Sequence, residues 1–134
     1  MSSFRIFDIA GSALSAQSLR LNTVASNLAN ADAVSGNPNA VYKARMPVFK
    51  ADTTQGADSA GVQVLGVVES QAEAQKRYEP GHPLADAQGY VYAPNVNVVE
   101  EMVNMISASR SYQGSVEVMN TAKDLALRTL NLGK

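Results

Sequence analysis

The chain has 134 residues, 46% of them apolar and 17% charged, with no cysteine, no tryptophan and one histidine, His82. Eleven Lys and Arg against twelve Asp and Glu leave a formal charge of −1, which gives no electrostatic reason to hold nucleic acid or an anionic membrane surface. Disulfides, thiol nucleophiles and multi-ligand zinc or iron–sulfur sites are excluded by residue count, and the length fits one domain.

The first residues, Met1 to Asp8, contain no basic region followed by a continuous apolar run, so no cleaved secretory signal is expected. No stretch approaches the ~20 apolar residues of a membrane helix. All five prolines (Pro38, Pro47, Pro80, Pro83, Pro94) lie between residues 38 and 94. Since proline breaks helices, the order expected is helix, irregular middle, helix.

The first helix is expected over residues 4–31. Phe7, Leu14, Leu21 and Leu28 recur every seven residues, with Ala10, Gln17, Val24 and Ala31 as the companion line. This is an apolar seam at coiled-coil spacing, flawed at Gln17. Ser3 can cap the start and Asn30 to Asp32 supply the stop. A second stripe, Ile9, Ser12, Ala16, Leu19, Thr23, Ser26 and Asn30, lies nearly opposite and carries no charge. Solvent-facing helix surfaces usually bear Lys and Glu, so this helix is expected to be packed on two sides.

The middle, residues 32–96, reads as β-like and turn-rich. Val41 to Phe49, broken by Pro47, predicts a short edge strand. Residues 51–60 predict a flexible loop. Gly61 to Val68 has strand propensity and partial alternation. Glu79 to Pro83 predicts a turn, and Gly89 to Tyr92 one more short strand.

The last helix is expected over residues 97–132. Asn97 and Glu100 have the spacing of a capping box, and Gly133 marks the end. Met102, Ser109, Val116 and Leu130 fall on one heptad line, interrupted by Lys123, and Met105, Tyr112, Met119 and Ala126 fall on the other. That periodicity reads as a core seam rather than a Met-rich recognition groove. Arg110, Glu117 and Asp124 form a charged line, suited to a solvated face or to setting register between neighbours. A helix from Val98 to Asn131 would be about 50 Å long, longer than the roughly 36 Å diameter of a compact domain of this size. It is expected to finish burying itself against other chains.

Residues able to do chemistry are sparse. His82 sits between Gly81 and Pro83 with no second His or any Cys to complete a site, and reads as a surface side chain in a turn. The acid pairs Glu100–Glu101 and Glu69 with Glu73 read as ordinary helix or surface acids. Neither a phosphate-binding glycine loop nor a Gly-x-Ser-x-Gly elbow occurs. No enzyme activity, metal or cofactor is expected.

Several motifs do resemble a known family. Ser26-Asn27-Leu28-Ala29-Asn30-Ala31-Asp32 is similar to the N-terminal signature of bacterial flagellar axial proteins, and Asn95 to Ile106 followed by Ser107 to Tyr112 is similar to their C-terminal signature. The opening Ile6 to Leu14, the short length and Tyr78 to Asp86 narrow the resemblance to basal-body rod proteins of the proximal-rod kind, across essentially the whole chain. Two departures stand out. Ala33 to Val41 intervenes before Tyr42-Lys43, where relatives have a Thr-Pro-Gly-Tyr turn, and Gln113-Gly114 replaces the acid and Asn common after the Tyr.

The resemblance implies a mainly α subunit, its long N- and C-terminal helices paired as a coiled-coil-like hairpin around a small irregular β-rich middle. It further implies a structural rod subunit, exported without cleavage by the flagellar type III apparatus, spanning the periplasm with other rod proteins and copies of itself. The contact residues expected are Phe7, Leu14, Ala16, Leu19, Leu21, Thr23 and Leu28 on the first helix. On the last they are Met102, Met105, Tyr112, Val116, Met119 and Leu130. Heptads alone would also permit a soluble helical-hairpin adaptor or secretion chaperone, and a flagellum-associated cell-wall hydrolase is a third reading.

Overall fold

A computed structural model describes residues 3–54, 56 and 60–134, with the side chain of Ser3 outside the description. The Ser3 cap and part of the 51–60 loop therefore fall outside it. Two long helices flank a middle of short strands: α1 (Ser3–Ala29), β1 (Arg45–Asp52), β2 (Gly61–Glu69), β3 (Gln75–Tyr78), β4 (Tyr90–Ala93) and α2 (Val98–Leu132). β1 pairs with β2 and β3 with β4, in two separate two-stranded sheets.

Helix α1 contains neither proline nor a β-branched run, and it ends where an Asn competes for the backbone. The Asn30 side-chain amide donates to the Ser26 carbonyl at 2.8 Å, while the Ala31 amide tightens onto the Leu28 carbonyl at 3.3 Å. Such competition closes a helix at its last turn. Helix α2 starts on half of the expected box. The Asn97 Oδ1 accepts from the Glu100 amide at 3.2 Å, and Glu100 itself is exposed.

The chain packs as two compact units: residues 1–21, 47–66 and 106–134 form the first, and 22–46 and 67–105 the second. In the first unit the helices pack together through small residues, with Ala10, Ala16, Ala108 and Ala122 all buried. On α2 the buried residues are therefore Ala108 and Ala122, with Ser115 half-buried between them, one position off the large-residue lines read as the core seam. Met102, Tyr112 and Leu130 are exposed, and Met105, Val116 and Met119 only half-buried. Alanine and serine let two helix backbones approach closely, which turns the bulkier side chains to the flanks.

The β1–β2 pair covers part of α1. The Ser12 hydroxyl donates to the Ile9 carbonyl at 2.7 Å and accepts from the Val62 amide at 3.0 Å. A side chain at Gly61 would meet Ser12 Oγ at 3.0 Å, so the strand rests directly on the helix. The expectation of two-sided packing thus gains an intramolecular partner.

In the second unit Ala31, Ala44 and Val96 cluster with Tyr42 against them. β3 and β4 run antiparallel with Gln75 opposite Ala93 and Tyr78 opposite Tyr90, and Ser35 bridges Tyr92 on a further strand-like contact. Val91 and Ala93 are fully buried. Gly36 is required here, because a Cβ would stand 2.6 Å from the Leu84 carbonyl oxygen. The edge strand expected from Val41 begins only at Arg45, because Val41 and Ala44 are drawn into the core. β3 was not expected at all. Its four residues are all exposed and show no alternation; pairing with β4 creates it.

Candidate assembly surface

The polar groups of the second unit converge on one buried asparagine. Asn27, 1% exposed, donates from Nδ2 to the Arg45 carbonyl at 2.9 Å and accepts at Oδ1 from the Arg45 amide at 2.9 Å. Its side chain thus pairs with both backbone groups of the first β1 residue, as a neighbouring strand would. The Tyr42 hydroxyl also donates to Asn27 Oδ1 at 2.9 Å and lies 3.1 Å from Ser26 Oγ. Arg45 stacks its guanidinium 5.5 Å from the Tyr42 ring centre, and its 3.5 Å pair with Glu69 is half exposed on both sides, hence weak. Asn95 does a parallel service, accepting from the Ala44 amide and donating to the Ala72 carbonyl, each at 2.8 Å.

Sequence reasoning saw Asn27 and Asn95 only as motif letters. The available signal was an Asn between two buried lines of a helix, where a polar residue must have buried partners.

Asp86 organises the turn before β4. Its carboxylate accepts from the Gln88 and Tyr90 amides, each at 2.9 Å, and from the Tyr92 hydroxyl at 3.2 Å. The Tyr90 amide is the chief cause of an Asp86 carboxyl held below its ordinary range, with desolvation opposing. Burial, then this hydrogen bond, raises the Tyr92 phenol. His82, read as a surface side chain, is half-buried and accepts at Nδ1 from the Leu84 amide at 3.0 Å. It shapes the turn.

For catalysis the arrangement offers little. Among the described residues no three His, Cys, Asp or Glu side chains group to hold a metal ion, and no helix is long and apolar enough to cross a membrane. Glu101 is buried at the start of α2, and one carboxylate oxygen has no hydrogen-bond partner.

The expected contact residues divide by burial. Ala16 and Thr23 are buried within the chain itself, so they need no neighbour to cover them. Phe7, Leu14, Leu19, Leu21 and Leu28 are half-buried, as are Met105, Val116 and Met119, whereas Met102, Tyr112 and Leu130 are exposed. What α1 leaves outward is a different uncharged line, Ser15, Ser18, Asn22, Ala25 and Ala29, all exposed. On α2 the residues Arg110, Glu117 and Asp124 are exposed as a charged line, and large apolar residues flank it.

In the first unit α1 and α2 also leave an open apolar groove. One section, of about 430 Å³, lies between Ile6, Ile9 and Ala13 on α1 and Ser111, Gly114 and Val118 on α2. It continues past Gly114 as a section of about 380 Å³ reaching Glu117, Thr121 and Leu125.

Paired helices that leave an apolar surface uncovered are the features of a structural assembly subunit. Residues 7–36 match the family described as flagella basal body rod protein, and residues 87–132 match the C-terminal family of flagellar basal body rod FlgEFG proteins. The chain is 58% identical over 134 residues to the flagellar basal-body rod protein FlgC of Salmonella typhimurium, and 59% identical to that of Escherichia coli O157:H7, covering all of both chains in each case. A FlgC protein of Buchnera aphidicola is 41% identical over 136 residues, again at full coverage. The chain belongs to the FlgC family of flagellar basal-body rod proteins. It is a structural subunit of the basal-body rod.

Proposed function

We propose that residues 1–134 act as one rod subunit that polymerises through its terminal helices with other rod proteins and copies of itself, forming the torque-transmitting shaft that crosses the periplasm. Export through the flagellar type III apparatus, with the N-terminus uncleaved, belongs to the same reading. The observation that supports it is the outward face of α2, where Val99, Met102, Val103 and Ile106 are all more than half exposed. Exposed apolar patches of this kind mark interaction sites, and paired helices resist bending through many dispersed contacts.

Image reconstruction of purified basal bodies with the chain traced is the direct test: both helices should lie in the rod wall against neighbouring subunits. Mass spectrometry of the incorporated chain checks the export route. Loss of a 15–30-residue N-terminal segment, the length of a secretory signal, would overturn it.

A further inference from the structure

The α1–α2 groove and the outward ridge at the start of α2 are lined by different residues. Val99, Val103 and Ile106 stand at helical spacings of four and three residues and are 70%, 60% and 56% exposed. That is the anchor pattern by which an amphipathic helix enters a hydrophobic groove. One turn further along the same face stands Arg110, also exposed. In the groove, Gly114 presents bare backbone to an incoming side chain, and a Cβ built there would stand in open space with nothing within 4 Å. Glu117 lines the second section of the groove, beside Val118.

We propose that the groove receives the Val99–Arg110 ridge of a second copy of this chain, a reading that rests on the polymerising rod subunit above. The copies run parallel with an offset of about three helical turns, roughly 16 Å along α2. This offset lays Val103 over Gly114 and Ile106 beside Val118, and it sets Arg110 opposite Thr121, a little over one turn from Glu117. The occupant is a second copy because the chain carries both halves of the contact, ridge and groove, together with opposite charges that the offset brings to about one turn of each other. Ridge and groove are distinct patches, so the contact is head-to-tail. Such a contact leaves a free ridge at one end and a free groove at the other, and it propagates instead of closing as a dimer.

The chain has no cysteine, so engineered pairs report one contact each. Val103→Cys and Gly114→Cys placed in one chain stand about 16 Å apart on a single helix, too far to join within it. Mild oxidation of purified basal bodies carrying this variant should give covalent oligomers of this chain, a dimer and larger steps, while either single variant gives none. Reversing the charge by Arg110→Glu or by Glu117→Arg should lower incorporation into basal bodies at least tenfold, and the two together should restore it. Peptides of the unmodified chain in basal bodies establish the rod reading separately. If that chain is incorporated but the cysteine pair yields no oligomers, or joins the chain to a different rod protein, or if the charge swap fails to rescue, the second-copy contact is overturned and the rod reading stands. Absence of the unmodified chain from basal bodies would overturn both.

Discussion

At the scale of single residues, stability turns on a few buried polar atoms. Asn27 satisfies both backbone groups of Arg45, so removing it leaves an amide and a carbonyl unpaired at the edge of the core. Asn27→Ala should therefore lower unfolding free energy by about 2–6 kcal/mol, from two groups at about 1–3 kcal/mol each. Tyr42→Phe, losing one hydroxyl, should cost about 1 kcal/mol. Urea titrations of the two single variants and the double should show coupling, because both side chains meet at Asn27 Oδ1. Gln17 is the opposite case. It interrupts the apolar line Ala10, Val24 and Ala31, and its Oε1 is buried without a hydrogen-bond partner. Gln17→Met keeps the length and removes the orphan acceptor, and should stabilise the chain by about 1 kcal/mol. No gain in the urea midpoint would show that the seam itself tolerates the amide.

Asp86 links pH to the turn before β4. Its folded pKa is depressed, chiefly by the Tyr90 amide, so the carboxylate adds stability above its unfolded pKa of about 3.9. That stability falls away as pH drops through the folded value, where the protonated acid loses its acceptor role. Midpoints measured from pH 7 downward should fall more steeply for the parent chain than for Asp86→Asn, which is already weakened at neutral pH. Parallel curves would show that other carboxylates carry the dependence.

Among elements, what could be read from the residues was what depends on period and punctuation. Helix ends at Asn30 and Asn97 follow from local backbone competition, and the prolines confine the strands to the middle. The faces were less legible. Heptad reading weighted large side chains and chose the Met102 and Met105 lines, whereas the seam of α2 runs through Ala108, Ser115 and Ala122. Hydrophobic size signals burial only when a partner is present to bury it, and a single sequence does not distinguish a partner in the same chain from one in the next. β3 was invisible for another reason. Gln75 to Tyr78 hold no strand pattern and gain their order from cross-strand contacts, with Lys76 Nζ 4.0 Å over the Tyr90 ring and Tyr78 edge-on to Tyr90 at 5.1 Å. Gly89 turns the chain between these strands at φ +85°, and a Cβ there would lie 3.0 Å from the Tyr78 ring. Gly89→Ala should cost about 1–3 kcal/mol from backbone strain alone, visible as a lower thermal midpoint, with the helices keeping their circular dichroism below it.

For the whole molecule, the uncharged stripes of α1 separate into two causes. Ala16 and Thr23 are uncharged because they are buried in the subunit; a lysine at either would bring an unpaired ammonium into the subunit's own core and unfold it. Ser15, Ser18, Asn22, Ala25 and Ala29 are exposed and yet equally free of charge, which folding of one chain does not require. A subunit enclosed by neighbours does require it. Ser18→Lys with Ala25→Lys should leave the urea midpoint of the purified subunit within about 0.5 kcal/mol, the usual range for surface changes. In the rod each added ammonium would have to be desolvated or the helices forced apart, at a cost of several kcal/mol per contact. The double variant should therefore be exported but fail to enter basal bodies, and cells carrying it should not swim. Ala16→Lys should fail earlier, as an unfolded chain. Normal swimming with Ser18→Lys and Ala25→Lys would mean that this face of α1 looks onto solvent in the assembled rod, and that the contacts between subunits run through other faces of the two helices.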